Sequence, residues 1–363
     1  METRAAVTRK GAQYPVLEDV ELGAPLAGEI LVRIVACGIC PTDLDAQAGH
    51  ARTPRPIVLG HEGAGIVEAI GANVTTLTPG DHVVLTGSFC GTCRNCLKDL
   101  PSYCETTMRR NFGGLREDGS TYLTAAGGGR VFGHFFGQSS FAGYAIAEER
   151  SAVKVPADLP LVTLAPLGCG FATGAGAVFN AFAASADDTL AVFGVGAVGL
   201  TAVMAAKILG LKRIVAVDRI EARLQLALEL GATDVIDATK SDVAKSLRTL
   251  SPAGFNFALN TTSSAEALTA AVECLALHGT AGYVATPREP WTLPAAMLDA
   301  GRTLKALLGS GAAPQKFLPR LIAHYQAGKF PIDRLVTSYP FTQIETAMAD
   351  LGAGRAIKPV LAI

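Results

Sequence analysis

The chain has no excess of charge of either sign. Its 31 lysine and arginine residues are balanced by 32 aspartate and glutamate residues, which gives a formal net charge of −1. The basic residues are scattered along the chain rather than clustered. Proteins that bind nucleic acid or an anionic membrane concentrate positive charge on one face. The sequence therefore argues against both kinds of partner.

Long hydrophobic segments are also missing. The first ten residues carry charge and lack the apolar core of a secretory signal, so we expect the mature chain to start at Met1 and the protein to be cytoplasmic. The longest uncharged apolar run, residues 190–206, contains three glycines and barely reaches membrane-spanning length. In a reducing compartment, the eight cysteines are expected to be metal ligands or buried thiols rather than disulfides.

No repeat or low-complexity segment is present, and 363 residues are enough for two domains with separate cores. The first part of the chain predicts short strands between glycine and proline turns, at 29–36, 64–70 and 82–85. From about Pro166, apolar strands alternate with helices until about Leu308. The predicted strands are 190–193, 213–217, 234–236, 255–259 and 282–284, with a helix at 197–209. We predict an α/β protein with a β-rich domain and a Rossmann-type, doubly wound parallel sheet.

A glycine-rich turn, GVGAVG, follows the first strand of the alternating region and opens a helix. Its glycines allow a dinucleotide pyrophosphate to approach the helix N-terminus closely. The predicted cofactor contacts in this turn are Gly194, Gly196, Ala197, Val198 and Gly199. Asp218 ends the next strand, where its carboxylate can bind the adenosine ribose and repel a 2′-phosphate. Arg219 beside it offsets part of that repulsion, and helix capping is the alternative role of Asp218. We predict NAD rather than NADP.

Four cysteines lie close together in the segment CGTCRNCLKDLPSYC. They are Cys90, Cys93, Cys96 and Cys104. Gaps of two residues bring successive thiolates around one centre, and the longer gap closes it, which is typical of a tetrahedral structural zinc site. An iron–sulfur cluster and a DNA-binding zinc finger are the alternatives, and the charge balance argues against the second.

Three further candidate ligands are far apart in the sequence. They are Cys40 in ACGICPTD, His61 in GHEG and Cys169 in PLGCGFATG. Taken alone, each is more often a buried thiol or a hydrogen-bonded histidine than a ligand. The pattern of residues by itself leaves that choice open.

Together, these segments resemble the zinc alcohol dehydrogenases of the medium-chain dehydrogenase/reductase family. ACGICPTD, GHEGAGIV, CGTCRNC, LGCGFATGAGAV and FGVGAVGL occur in the family's order across nearly the whole chain. The resemblance implies a GroES-like catalytic domain with the structural zinc lobe at 1–170, an NAD-binding Rossmann domain at 171–308, and a return to the catalytic domain at 309–363. It also implies two zinc ions per subunit, one catalytic and one structural, and a homodimer or homotetramer.

The resemblance also implies roles for single residues. Cys40, His61 and Cys169 become ligands of the catalytic zinc, with the fourth position open to water or substrate. Asp43 becomes the carboxylate that orients His61, and Glu62 an occasional substitute ligand behind the metal. Surface or capping roles are the alternatives for both carboxylates.

Three more positions bear on the reaction and the cofactor. Thr42 matches the hydroxyl residue that accepts the alcohol proton, although it could instead cap a helix. Lys358, in GRAIKPVL, matches a basic contact to the cofactor phosphates. Pro41 stands where many relatives have arginine or histidine, and it offers neither a charge nor an N–H group. We therefore expect weaker binding of the cofactor at this position.

The implied activity is the oxidation of a zinc-bound alkoxide by hydride transfer to the nicotinamide, and the reverse reduction of an aldehyde. GHFFGQSSFAGYA and LGCGFATGAGAVFN look most like the benzyl or aryl alcohol branch, which includes enzymes for allylic alcohols such as geraniol. Candidate aromatic residues near the substrate are Phe89, Phe112, Phe135 and Phe136, with core packing as the alternative. Secondary alcohols or hydroxy acids are competing substrates. A non-catalytic NAD-binding relative and a zinc-free quinone reductase are competing functions.

Overall fold

The computed structural model describes residues 1–363. The chain folds into two compact units. The first unit contains Met1–Gly170, Ala312–Arg320 and Ile332–Ile363, and the second contains Phe171–Gly311 and Leu321–Pro331.

Eighteen strands and ten α-helices form these units. The strands are β1 (Glu2–Thr8), β2 (Val16–Leu22), β3 (Glu29–Gly38), β4 (Ile57–Val58), β5 (Glu62–Ile70), β6 (His82–Leu85), β7 (Leu123–Ala125), β8 (Arg130–Val131), β9 (Tyr144–Glu148), β10 (Ala152–Lys154), β11 (Thr189–Phe193), β12 (Arg213–Asp218), β13 (Asp234–Asp237), β14 (Phe255–Asn260), β15 (Leu275–Tyr283), β16 (Thr303–Ala306), β17 (Val336–Pro340) and β18 (Lys358–Ala362). The helices are α1 (Pro41–Ala48), α2 (Thr107–Phe112), α3 (Leu161–Leu164), α4 (Gly170–Gly176), α5 (Ala197–Leu209), α6 (Glu221–Leu230), α7 (Val243–Leu250), α8 (Ala265–Glu273), α9 (Pro314–Gln326) and α10 (Ile344–Gly352).

The first unit is rich in β structure. One sheet has the strand order β4-β1-β2-β7-β8, and a second has the order β10-β6-β5-β3-β18-β17, with β9 also paired to β3. Strand β3 is apolar on both faces because successive side chains point in opposite directions. Ile30, Val32 and Ile34 belong to one buried cluster, whereas Leu31 and Cys37 belong to another. Strand β3 is therefore held between two cores, and its C-terminal end leads directly to Cys40.

The C-terminal segment supplies two strands to the larger sheet of this unit. Strand β18 pairs antiparallel with β3, with Val360 opposite Gly38, and β17 pairs parallel with β18. This pairing places Lys358, the first residue of β18, near the end of β3. The tail thereby contributes a charged side chain to the region around Cys40.

The second unit is built on a six-stranded parallel sheet with the order β13-β12-β11-β14-β15-β16. Strands β11 and β12 are buried on both faces, which explains their continuous apolar sequences. The strand order reverses beside β11, as in dinucleotide-binding sheets, and the predicted fold class is confirmed. Two details differ from the prediction. Strand β15 begins at Leu275, which pairs with Phe255 before a register shift, and the short, half-exposed β16 was not predicted.

The C-terminal boundary also differs from the expected one. Residues 321–331 group with the second unit, although the prediction assigns all of 309–363 to the catalytic domain. One physical reason is the stacking of the His324 ring on Phe179, at a centroid separation of 5.8 Å. No single helix is long and apolar enough to cross a membrane, although Leu161–Gly168 and Gly170–Ala181, as a bent pair, meet that criterion by length and composition alone.

Candidate active site

Four potential metal ligands from three separate segments converge in the first unit. Cys40 follows β3, His61 immediately precedes β5, which begins at Glu62, and Cys169 follows α3 and the short 3₁₀ turn after it. One potential ligand atom from each of these four residues lies within 4.8 Å of the other three. The structure therefore brings together the candidate ligands that the sequence separates.

Asp43 organises two parts of this cluster. One carboxylate oxygen accepts a hydrogen bond from the backbone N–H of Cys40, at 2.9 Å, and closes the N-terminus of α1. The other oxygen lies 2.9 Å from Nδ1 of His61 and also accepts the N–H of Gly60, at 3.2 Å. Because Asp43 is fully buried, it fixes the His61 ring and the start of α1 together.

The remaining ring nitrogen of His61 points to a metal. Nε2 is buried and has no hydrogen-bond partner, which is costly for a polar atom unless a ligand satisfies it. A hydrogen bond from the Cys169 thiol lowers the pKa of Cys40 well below its usual range, which favours a thiolate. One imidazole and two cysteine sulfurs are a donor set that zinc prefers. The residues therefore fit a zinc ion.

A buried ion pair between Lys358 and Glu62 lies next to this cluster. The ammonium group of Lys358 lies 2.9 Å from both carboxylate oxygens of Glu62 and donates to the carbonyl of Ile39 at 3.1 Å. Lys358 is only 2% exposed, and these contacts occupy its donors. In this structure Lys358 is thus paired with Glu62 and the carbonyl of Ile39, and its contact with a cofactor phosphate stays a prediction. The resemblance to the family predicts a basic residue at position 358, but it does not predict that Glu62 pairs with that residue.

Thr42 and Pro41 lie in the first turn of α1. The hydroxyl of Thr42 is 3.6 Å from Sγ of Cys40, and its side chain is half-buried at the edge of the ligand cluster. Pro41 occupies the first helical position, where its fixed φ suits the helix and its missing N–H costs nothing. The family pattern indicates only the charge that Pro41 lacks, whereas the structure also gives it a role in starting the helix.

Three of the four candidate phenylalanines form one aromatic cluster around His61. The ring of Phe136 stacks on the imidazole with a centroid separation of 4.4 Å and an interplanar angle of 26°. Phe135 contacts the imidazole edge-on at 5.6 Å, and Phe112 packs edge-on against Phe135 and Phe136. Phe135 is fully buried, whereas Phe112 and Phe136 are partly exposed. Phe89 is not part of this apolar cluster.

The four-cysteine lobe converges as its spacing predicts. Potential ligand atoms of Cys90, Cys93, Cys96 and Cys104 lie within 4.8 Å of one another. Two sulfur–sulfur distances, from Cys96 to Cys93 and to Cys90, are 3.5 and 3.9 Å. Ligands placed tetrahedrally at the usual Zn–S distance would be about 3.8 Å apart. Backbone N–H groups also donate to the sulfurs of Cys90 and Cys104, and those that reach Cys90 favour its thiolate form.

The glycine-rich turn lies in the second unit between β11 and α5. Gly194 adopts a φ of +83°, and a Cβ atom there would lie 2.5 Å from Cγ2 of Thr262. Gly199 packs against the Gly194 carbonyl so closely that a side chain would overlap it. Gly196 is the N-cap of α5, which turns free N–H groups toward the turn. This geometry suits a pyrophosphate at the helix N-terminus.

Asp218 lies at the carboxyl end of β12 beside this turn. Its carboxylate accepts hydrogen bonds from the N–H groups of Val195 at 2.7 Å, Arg219 at 2.7 Å and Ile220 at 3.0 Å. Motif reasoning missed Arg223, whose guanidinium would lie 3.9 Å from a Cβ on Gly196. Arg223 lies in the first turn of α6, and a basic residue at that position is a signal that could have predicted a cation near the glycine-rich turn. The loop is therefore flanked by one carboxylate and one guanidinium.

Comparison with known proteins relates these features to one family. Residues 26–157 match the family model described as "Alcohol dehydrogenase GroES-like domain", and residues 197–323 match "Zinc-binding dehydrogenase". The geraniol dehydrogenase of Castellaniella defragrans is 43% identical over 366 residues, covering 99% of this chain and 98% of that protein. The crystal structure of benzyl alcohol dehydrogenase from Acinetobacter calcoaceticus is 42% identical, with a TM-score of 0.96 and coverage of 100% and 99% of the two chains.

A second solved structure gives the same result. An alcohol dehydrogenase zinc-binding domain protein from Burkholderia ambifaria is 44% identical, with a TM-score of 0.97 over 100% of this chain and 99% of that one. Proteins with this level of sequence identity over their full length share both a fold and a family. The chain belongs to the zinc-binding alcohol dehydrogenase family and is an oxidoreductase that uses zinc and a nicotinamide cofactor.

Proposed function

We propose that this protein interconverts primary aryl or allylic alcohols and their aldehydes, with NAD as the hydride carrier. The observation that carries the proposal is the Phe136 ring, which lies flat against His61 and is partly exposed. A flat aromatic surface beside the reacting centre favours a planar substrate conjugated to its carbinol carbon. Similarity to a geraniol dehydrogenase and a benzyl alcohol dehydrogenase supports the same substrate class.

In this proposal, Cys40, His61 and Cys169 hold the catalytic zinc. The bound ion supplies a Lewis acid that stabilises negative charge on the alcohol oxygen. Asp43 keeps Nδ1 of His61 engaged, so that Nε2 is directed at the metal. Glu62 and Lys358 form a neutral pair behind the ligands, and the pairing limits the negative charge that two thiolates and a carboxylate would otherwise place together.

Thr42 is the group that takes the alcohol proton in this proposal. Its hydroxyl lies beside Cys40 at the edge of the ligand cluster and can both accept and donate a hydrogen bond. A hydroxyl there can pass a proton outward without becoming charged itself. The first unit would then supply the catalytic residues, and the second unit the contacts to the dinucleotide.

The proposed preference for NAD rests on Asp218. Its carboxylate lies at the carboxyl end of β12 beside the glycine-rich turn, where it can accept hydrogen bonds from ribose hydroxyls. A 2′-phosphate at this place would face a negative charge. The positive charges of Arg219 and Arg223, close to Asp218 in the chain, reduce that repulsion. The ratio of kcat/KM for NAD to that for NADP measures the preference that remains.

The test is NADH production from benzyl alcohol and NAD⁺, with geraniol and 1-propanol as comparison substrates. We expect turnover that stops when a chelator removes zinc and returns when zinc is restored. Benzyl alcohol and geraniol should exceed 1-propanol in kcat/KM. Faster turnover of 1-propanol would overturn the substrate class, and turnover that survives removal of all zinc would overturn the metal assignment.

A pair of variants isolates the aromatic contribution. Phe136→Ala removes the ring that stacks on His61, and we expect the ratio of kcat/KM for benzyl alcohol to that for 1-propanol to fall roughly tenfold. Phe132→Ala is the matched control, because Phe132 packs against the same core without stacking on His61. An equal change in the two variants would argue against a specific role for Phe136.

A further inference from the structure

The turn that carries Phe136 has an unusual backbone. Phe136, Gly137 and Ser139 have φ values of 53°, 69° and 52°. This left-handed region is unfavourable for residues with a side chain, and least favourable for bulky ones such as phenylalanine. Such a backbone persists only where the surrounding structure fixes it. Neighbouring groups must therefore hold residues 134–139 in place.

Gln138 is the central holding group. Its side chain is 0% exposed, and its amide oxygen accepts hydrogen bonds from the N–H of Gly63 at 3.0 Å and the hydroxyl of Ser140 at 2.7 Å. Its amide nitrogen donates to the carbonyls of His61 at 3.0 Å and Thr86 at 3.3 Å. All four hydrogen-bonding positions of the amide are used. The orientation is fixed because a backbone N–H can only donate and a carbonyl can only accept.

The segment next to His61 is shaped to admit this amide. A Cβ atom on Gly63 would lie 2.9 Å from the amide oxygen of Gln138 and 2.7 Å from Cβ of Ser140. The absence of a side chain at Gly63 thus allows the close approach. The backbone carbonyl of Gln138 accepts the hydroxyl of Tyr122 at 2.6 Å, which holds the turn from the other side.

We propose that Gln138 is a positioning residue that fixes the backbone of the metal ligand His61 and joins it to the turn carrying Phe136. Asp43 fixes the imidazole through Nδ1, and Gln138 fixes the same residue through its carbonyl. The ring and the main chain of His61 are then held by two independent buried groups. This inference rests on the proposed catalytic zinc site at Cys40, His61 and Cys169.

The test compares Gln138→Met with the unmodified protein. Methionine has a similar length and volume but makes none of the four hydrogen bonds. We measure the rate at which each zinc ion is released to a chromogenic chelator, and kcat/KM for benzyl alcohol alongside it. We expect release of the catalytic zinc to become about 10- to 100-fold faster, because groups that orient metal ligands have effects of that size. Release of the zinc at the four-cysteine lobe should not change.

Gln47→Met is the matched control. Gln47 is also a buried glutamine of the first unit, where it accepts the hydroxyl of Thr8 at 2.6 Å and donates to the carbonyl of Ala12 at 2.9 Å. This variant should lower the melting temperature without changing release of either zinc. A Cys169→Ser chain, which we expect to keep only the four-cysteine zinc, assigns the two release phases.

The outcomes separate failure of the role of Gln138 from failure of the proposed function. If Gln138→Met and Gln47→Met both release the catalytic zinc at the unmodified rate, Gln138 has no positioning role. If the unmodified protein binds two zinc ions but oxidises no alcohol, the proposed function fails while zinc release still tests Gln138. A protein that binds only the four-cysteine zinc would contradict both proposals.

A milder variant covers the case in which Gln138→Met does not fold. Ser140→Ala removes one hydrogen bond to the amide oxygen of Gln138 and leaves the other three in place. We expect the catalytic zinc to be released about two- to tenfold faster, in line with the loss of one buried hydrogen bond. An unchanged release rate in this folded variant would contradict the role of the amide network.

Discussion

The two cysteine clusters of the first unit differ in how the chain assembles them. The lobe at Cys90–Cys104 takes all four sulfurs from one short segment, and its residues are mostly half-exposed. The cluster of Cys40, His61 and Cys169 draws on three distant segments and is largely buried. The first offers four sulfurs, whereas the second offers two sulfurs, an imidazole nitrogen and the carboxylate of Glu62, which is paired with Lys358. A lobe can thus converge through short-range spacing, whereas the dispersed cluster depends on the core that brings its three segments together.

The two clusters also differ in what stabilises their ligands. In the lobe, backbone N–H groups donate to sulfur, and the N–H groups of Thr92 and Cys93 outweigh burial to lower the pKa of Cys90 to about 6. In the buried cluster, side chains do this work. The Cys169 thiol lowers the pKa of Cys40, and the carboxylate of Asp43 engages Nδ1 of His61. The buried site therefore depends on residues that lie far from one another in the sequence.

Removing a ligand from the buried cluster should have the largest effect. Cys169→Ser is expected to lower kcat/KM for benzyl alcohol about a thousandfold, or about 4 kcal/mol, because the Lewis acid is lost from the reacting centre. Zinc content should fall from two ions to one per chain, as measured by elemental analysis. If the variant keeps full turnover with one zinc ion, the cluster of Cys40, His61 and Cys169 is not the catalytic one.

Breaking the buried ion pair should affect stability rather than the ligand set itself. Lys358→Met leaves the carboxylate of Glu62 without its partner, and we expect the free energy of unfolding to fall by about 3 kcal/mol. Urea denaturation measures this change. The double variant Lys358→Met/Glu62→Gln should recover part of the loss, since no uncompensated charge remains. No recovery would mean that the lysine acts through packing alone.

Changing the hydroxyl at the edge of the buried cluster should separate proton transfer from metal binding. Thr42→Ala is expected to lower kcat roughly a hundredfold while both zinc ions remain. Thr42→Ser keeps the hydroxyl and should restore most of the turnover. Steady-state kinetics and zinc analysis on the same samples test this. Unchanged turnover in the alanine variant would remove Thr42 from the reaction.

The smallest effect on initial turnover should come from the lobe. Cys93→Ser is expected to lose one zinc ion and lower the melting temperature, while the initial kcat at 25 °C stays within about twofold of the unmodified value. Activity should then decay faster on warming. Turnover that falls in step with loss of this zinc, before any unfolding, would contradict the contrast between the two clusters.

The sequence predicted much of this arrangement because several signals are local. The helix 197–209 and the glycine-rich turn follow from apolar periodicity and glycine spacing, and the fold class that they indicated is confirmed. The family and enzyme class, which the resemblance implied, are confirmed as well. The short strand β16 gave no such signal, since its residues are half-exposed and few. The roles of Cys40, His61, Cys169 and Thr42 came from resemblance, and they remain predictions.

The convergence of the four lobe cysteines could be predicted from their spacing, because gaps of two residues allow few other arrangements. The sequence also determined the two-part α/β architecture, because strand and helix periodicity are properties of short segments. The pairing of Lys358 with Glu62, the stacking of Phe136 on His61 and the hydrogen bond from Gln138 to His61 came only from the folded chain. These contacts depend on strand pairing between distant segments, which no local pattern specifies.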